Sequence, residues 1–278
     1  IHESAVIGGQ TKTLYEIGPN RSLSGNNPYT NLGGSPWGTS NVMAKVSGIT
    51  KTNNSVYRDN HASGHCAKMT THIETCKVLG LINIKVLAAG SIFLGDMKEP
   101  ITGTKDGPKA LNFGIPFTHR PKALRYDYKV QVPGTPNRIR QTGFSKVTTV
   151  PGPDYCIAML LLQKRHEDAN GNITAQRVGT VVVKYGKSTG GWVEDATYEI
   201  HYGNITGKSF YNAATMGLRS HDYARNSKGK SVLVKETGWA PADATPTHIV
   251  LQFSSSHGGA YVGTVGNTFW VDNVGLVY

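Results

Sequence analysis

The sequence predicts an all-β fold: a jelly-roll sandwich of two antiparallel sheets, with few short helices in its loops. Three observations carry the prediction. Several segments alternate apolar and polar residues with period two, the pattern of a half-buried strand. The 33 glycines and 13 prolines among 278 residues supply turns at short intervals. Helical periodicity is thin, and many short strands with Gly, Pro and Asn turns build sandwiches and jelly rolls.

Residues 1–34 read as an extended leader packed on or preceding the domain, with a Gly- and Asn-rich loop over residues 18–40. Residues 35–278 read as one domain, because no linker interrupts the strand rhythm. Ala67, Met69, Thr71 and Ile73 point one way, and Lys68, Thr70, His72 and Glu74 the other. Tyr126, Tyr128 and Val130 alternate with Asp127 and Lys129, and Tyr198, Ile200 and Tyr202 with Glu199 and His201. Ile249, Leu251 and Phe253 share a face, as do Val181, Val183 and Tyr185. The apolar run Tyr155–Leu162 has strand length. A hairpin joins 155–165 to 173–185 through a turn containing Asn170-Gly171, whose residues tolerate positive φ. Asp168-x-Asn170-x-Asn172 resembles the start of a calcium loop, but Gly179 stands where the bidentate Glu of such a loop belongs. Residues 209–218 read as a short surface helix and 222–238 as a long basic loop.

The net charge is +11. Cationic residues are densest from His119 to Lys146, where Arg120, Lys122, Arg125, Lys129, Arg138, Arg140 and Lys146 face only Asp127. Such a surface attracts a polyanion or is simply a solvated basic face. No helix-turn-helix, zinc finger or RNP motif accompanies it, so nucleic acid is not the expected partner. No apolar stretch of about 18 residues exists to span a membrane as a helix. The chain opens on Ile1, so an export signal or lipid-anchor cysteine is expected upstream, and membrane contact only through that anchor. The three cysteines, Cys66, Cys76 and Cys156, make no disulfide framework, and no Cys/His spacing suggests zinc.

Glycoside hydrolysis needs two carboxylates about 5–9.5 Å apart. Asp59, Glu74, Asp96, Asp127, Glu194, Asp195, Glu199 and Asp272 are the candidates, and outward-facing Asp127 and Glu199 could meet near His201 as a catalytic group. Nucleophile, zincin and P-loop motifs are absent. His61 and His65 flank Cys66 in an expected loop. A glycan binder needs exposed aromatic faces for sugar C–H groups. Trp37, Trp192, Trp239, Tyr57, Tyr211 and Tyr223 are the candidates, beside Arg120 and Arg125. Each is equally a core residue by type. Trp270, between Phe269 and Val271, points opposite to both.

Four stretches carry a resemblance. They are Pro36-Trp37-Gly38-Thr39-Ser40-Asn41-Val42, Ala88-Ala89-Gly90-Ser91-Ile92-Phe93-Leu94-Gly95, and Gly114-Ile115-Pro116-Phe117-Thr118-His119-Arg120-Pro121-Lys122-Ala123-Leu124 with Tyr126-Asp127-Tyr128-Lys129-Val130. The fourth runs from Ser254-Ser255-Ser256-His257-Gly258-Gly259 to Trp270-Val271-Asp272-Asn273-Val274. Over residues 35–278 the chain resembles the putative carbohydrate metabolism domain family. It departs from the family pattern at His119, at Asn267-Thr268, and in a long stretch from Lys208 to Pro246.

The resemblance implies a jelly roll akin to carbohydrate-binding modules, in an exported protein of the periplasm, outer membrane or cell surface. Non-catalytic binding of a poly- or oligosaccharide, acidic by the basic cluster, is the leading expectation. A glycoside hydrolase or polysaccharide lyase, using a carboxylate pair or Tyr/His/Arg chemistry, is the alternative, and an envelope or adhesion protein the third. No cofactor is required. In jelly-roll modules a terminal-strand Asp often helps hold a structural Ca²⁺, which here points to Asp272 with Asp59. Otherwise Asp272-Asn273 is a β-bulge, because the inward parity shifts there. Arg120, fixed by Pro121, suits bidentate recognition of a carboxylate.

Overall fold

The computed structural model describes residues 3–7, 10–18, 21–23, 30–31, 35–46, 49–78, 82–98, 101, 107–143 and 146–278. The strands that position the site are β1 (Trp37–Thr39), β2 (Val56–His61), β3 (Gly64–Val78), β4 (Ile82–Ala89), β5 (Ser91–Lys98), β6 (Leu111–Phe113) and β7 (Ala123–Gln131). They continue with β8 (Cys156–Glu167), β9 (Ile173–Tyr185), β10 (Val193–Glu199), β11 (Asp222–Arg225), β12 (Ser231–Trp239), β13 (His248–Ser254) and β14 (Thr268–Val277). One sheet has the order β4-β3-β14-β7-β10, with β2 folded onto β3 as a hairpin. The other has the order β6-β5-β13-β8-β9-β12-β11, with β1 beside β5. The all-β sandwich predicted from the sequence is therefore the fold. One detail differs from a purely antiparallel expectation: β9 and β12 pair in parallel, Ile173 opposite Val234.

The two sheets share one apolar layer. Met69, Leu124, Tyr126, Val130, Phe269 and Val271 enter it from the first sheet, and Leu160, Leu162, Val178, Leu251 and Phe253 from the second. Met69, Tyr126, Val130, Leu251 and Phe253 among them are inward residues that the period-two alternation marks. The run Cys156–Leu162 does not alternate because its sheet is covered on both faces. Ala158, Leu160 and Leu162 face the shared core, while Met159 and Leu161 pack with Phe93, Met97, Phe113 and Val250 on the other side. Full burial of each such side chain contributes about 1.5–3 kcal/mol.

The β8–β9 hairpin forms as expected, with Asp168 accepting hydrogen bonds from the N–H groups of Asn170 and Asn172 and Gly171 at φ +84°. Of the expected helix over residues 209–218, one turn exists, Ala213–Met216, capped by the Asn212 side chain. Residues 222–238 are not a loop. β11 and β12 pair antiparallel, and Ala224 and Val234 bury against Ile173 and Ala175. Exposed charges on the other face of this hairpin masked its strand pattern.

Candidate functional site

The outer face of the β2-β3-β14-β7-β10 sheet carries two adjacent rows of outward side chains. Register places Tyr57, Lys68, Trp270 and Lys129 in one row. In the next, Asp59 stands opposite Cys66 and Asp272 opposite Asp127, with Glu194 and Asp195 following on β10. Alternation puts these residues on the solvent side because Ala67, Val271 and Tyr128 between them face the core.

Two bulges shape the carboxylate row. Along β14 the pairing shifts between Arg125 opposite Gly275 and Asp127 opposite Asp272, leaving Asn273 at φ +49°. Along β10 it shifts between Tyr126 opposite Ala196 and Tyr128 opposite Val193, leaving Asp195 at φ +51°. Both bulges aim donors at Asp127. Asp195 N–H reaches its Oδ1 at 2.6 Å, and Asn273 Nδ2 its Oδ2 at 2.7 Å. Burial works to raise the Asp127 pKa, but hydrogen bonds from Asn273 and Asp195 and with Glu194 outweigh it, and the carboxyl is held below its usual range.

His61, at the tip of the β2–β3 hairpin, leans over this row. Its Nδ1 lies 2.8 Å from Asp272 Oδ2, its Nε2 lies 3.2 Å from Glu194 Oε1, and its ring stacks on Trp192 at 3.7 Å between centroids. Burial alone would lower the imidazole pKa; the hydrogen bonds and charges of Asp272 and Glu194 prevail and raise it. Asp59 accepts a 2.9 Å hydrogen bond from the Trp270 indole, which holds its pKa down. Lys129 sits over the Trp270 ring at 4.2 Å and over Trp192 at 5.6 Å, and Lys68 flanks Trp270 at 5.5 Å. The Cys66 thiol, buried within the carboxylate row, is pushed up to about 11 by burial and by the charges of Asp59 and Asp272.

Asp127 and Asp272 therefore lie in one cluster with His61, Trp192 and Glu194, and Arg125 borders it through a 3.7 Å contact with Asp195. Glu199 and His201 lie outside it. Glu199 pairs with Ala123, four residues along β7 from Asp127, and His201 stacks on Phe210. Asp59 is turned toward Trp270 and Lys68 rather than toward Asp272. His61 and His65 go separate ways: His65 bonds Asn60, while His61 turns to the acids. The bulge at Asp272-Asn273 is present.

Tyr57 lies in the first of these rows, and the remaining aromatic candidates are scattered. Trp37 packs on the core against Phe253, Tyr57 donates to Asn54 O, and Trp239 contacts Tyr211 and the Arg177 guanidinium. Tyr223 lines a cavity of about 760 Å³ on the outer face of the second sheet, whose walls are mainly apolar (Phe93, Met97, Phe113, Met159). Polar side chains, among them Glu74, Arg219, His221, Asp222 and Gln252, also border it. Among the described residues, Arg120 meets no carboxylate. It donates to the carbonyls of Ala242 and Ala244 and lies 4.2 Å from the Tyr202 ring, pinning the long 203–247 excursion. Nor do the basic residues form one surface. Arg138 and Arg140 belong to a separate small sheet, where Arg138 donates to Pro151 O and pairs with His257.

Sequence reasoning missed His61 and Trp270 as partners of the acids. Outward parity of Lys68, Asp127, Lys129, Trp270 and Asp272 was the available signal, but which strands are neighbours is not written in a single sequence.

A family model described as "Putative carbohydrate metabolism domain" matches residues 15–277. Among solved structures, the chain is similar to one described as a putative glycoside hydrolase from Bacteroides thetaiotaomicron VPI-5482. The two share 17% identity at a TM-score of 0.49, over 98% of this chain and 76% of that one. No functionally curated protein matches the chain.

Proposed function

Because this chain belongs to the putative carbohydrate metabolism domain family, we propose that it binds a neutral glycan on the outer face around Trp192, without cleaving it. The observation that carries this reading is the side-by-side arrangement of a carboxylate row and an aromatic–cation row. Carboxylates accept hydrogen bonds from sugar hydroxyls, lysines donate to ring and hydroxyl oxygens, and a half-exposed indole packs on sugar C–H faces. Asp59, Asp127, Glu194, Asp195 and Asp272 outnumber Lys68, Lys129 and Arg125 on this face, which repels a uronate and replaces the acidic glycan expected from bulk charge. Glu194 and Asp127 also bring carboxylate oxygens within 4.8 Å of each other. An extracytoplasmic location is part of the same proposal, since polysaccharides of this kind are met outside the cell.

A panel of neutral and uronate-containing oligosaccharides tests it by calorimetry. Neutral ligands should bind with little change between low and high salt, and Glu194→Gln, whose side chain is 57% exposed, should weaken binding at least tenfold without changing the melting temperature. Preference for uronates that fades with salt would overturn the neutral-ligand reading. Release of reducing ends or unsaturated products, lost in Glu194→Gln, would replace binding by catalysis.

A further inference from the structure

We propose that His61, Asp127 and Glu194 form a binding site for a divalent transition-metal ion of the Zn²⁺ or Mn²⁺ class. Three separate strands deliver these side chains, and their ligand atoms all lie within 4.8 Å of one another.

The imidazole makes the case, rather than the acids. Asp272 Oδ2, 2.8 Å from His61 Nδ1, can only accept, so Nδ1 carries a proton. In the neutral ring Nε2 is then a lone pair. It faces Glu194 Oε1, another acceptor, at 3.2 Å. Two acceptors at that distance need a cation between them, either a proton on Nε2 or a metal ion bound by both. Their separation is close to the roughly 3.3 Å that two donors span across a tetrahedral ion with bonds of about 2.0 Å. Asp127 supplies the third donor. Each of its oxygens receives one hydrogen bond, from Asp195 N–H or Asn273 Nδ2, and keeps a lone pair.

The surrounding shell matches what metal sites use. A carboxylate on the far nitrogen of a liganding histidine, here Asp272, fixes its tautomer and strengthens it as a ligand. Liganding carboxylates are themselves hydrogen-bonded, as Asp127 is. Trp192 forms one wall by stacking on His61, while exposed Glu194 leaves the solvent side open to water or a sugar hydroxyl. Lys129, Lys68 and Arg125 are directed at Trp270, Trp192, Asp59 and Asp195, not into the space between the three donors. A nitrogen donor with two carboxylates suits zinc or manganese better than calcium, which prefers six to eight oxygens. This shifts the expected cation site from Asp272 and Asp59 to three other donors, with Asp272 as positioning residue.

The proposal concerns the same face as the glycan reading but does not depend on it. The full chain, stripped with EDTA, is titrated with ZnSO₄, MnCl₂, CaCl₂ and MgCl₂ by calorimetry and thermal shift. One equivalent of Zn²⁺ or Mn²⁺ should bind and raise the melting temperature, with Ca²⁺ and Mg²⁺ without effect at equal concentration. His61→Gln and Glu194→Gln should each abolish that equivalent, and Asp272→Asn should weaken it about 10–100-fold. The absence of any metal-dependent shift, or a zinc equivalent that survives both His61→Gln and Glu194→Gln, overturns the site. Glycan binding measured in EDTA separates the two ideas: glycan affinity without metal binding defeats only the metal site, and metal binding without glycan affinity defeats only the glycan reading.

Discussion

Replacing Glu236 by glutamine should destabilise this protein severely, although Glu236 lies far from the carboxylate row. Glu236 and Arg177 are both fully buried between β9 and the excursion that follows residue 203. The carboxylate receives Arg177 Nε at 2.7 Å and Nη2 at 2.5 Å, Arg219 N–H at 2.7 Å and Gln163 Nε2 at 2.7 Å. Arg177 in turn donates to the carbonyls of Met216 and Gly217, so the pair holds the end of the one-turn helix against the sheet. Glutamine keeps the volume but turns one acceptor into a donor that faces the guanidinium or Arg219 N–H, and leaves the guanidinium charge alone.

Removing one partner of a buried ion pair costs about 3–5 kcal/mol. At roughly 2 °C per kcal/mol for a chain of this size, Glu236→Gln should melt about 6–10 °C below the parent. The double replacement Arg177→Met with Glu236→Leu removes both charges. It forfeits the hydrogen bonds to Thr180, Met216, Gly217, Arg219 and Gln163 but leaves no lone charge, so it should melt above the single variant. Thermal denaturation of the parent and both variants decides the matter. A Glu236→Gln protein within about 1 °C of the parent, or a double variant less stable than the single one, would refute the reasoning.

Two further outcomes follow from the same structure. His248 has its pKa lowered to about 4 by burial and by the nearby Arg165 charge, so the unfolded chain takes up its proton first. Its contribution is present above about pH 6.5 and is lost as pH falls toward 4; after allowance for solvent screening of this partly exposed ring, the loss is on the order of 1–2 kcal/mol. Urea denaturation from pH 7.5 to 4.5 should show that loss for the parent and a flatter profile for His248→Gln, and parallel profiles would exclude the assignment. Gly90→Ala should fold poorly or lose well over about 1 kcal/mol, because a Cβ at Gly90 would lie 2.2 Å from Ser55 O and 2.6 Å from Thr70 N; a normal chevron and melting curve for this variant would contradict the close approach.

Much of the fold was legible because alternation depends only on neighbours in sequence. Tyr126, Tyr128 and Val130, or Ile249, Leu251 and Phe253, reveal their buried face unaided. The β11–β12 hairpin was missed because Arg225, Lys228, Lys230 and Lys235 dominate a segment in which Ala224, Val232 and Val234 pack inward and Leu233 is left exposed. The arginine that meets a carboxylate was misplaced for a similar reason. Pro121 made Arg120 conspicuous, whereas Arg177 sits in an ordinary strand and owes its burial to a partner 59 residues away. The pairing of Asp127 with Glu199 failed on register, since Glu199 stands opposite Ala123 and the residues brought to Asp127 are Glu194 and Asp195.

The extra residue in β10 and its counterpart in β14 bear on function more than any single side chain. A sheet that served only to close the sandwich gains nothing from two bulges on either side of one residue. Each places a non-glycine residue, Asp195 or Asn273, at positive φ, a conformation that costs of order 1 kcal/mol or more and persists only where the surroundings hold it. Both devote the group they displace to Asp127, one through a backbone N–H and one through a side-chain amide. Together they keep a mostly buried carboxylate ionised at the floor of a face that His61, Glu194 and Trp192 complete. Removing either device should leave the sandwich intact while loosening that carboxylate. Asn273→Gly relieves the strain and deletes the amide, so it should fold at least as stably as Asn273→Ala while sharing its loss of Zn²⁺ or glycan affinity. If both variants bound as the parent does, the bulges would be features of sheet curvature and not of the site.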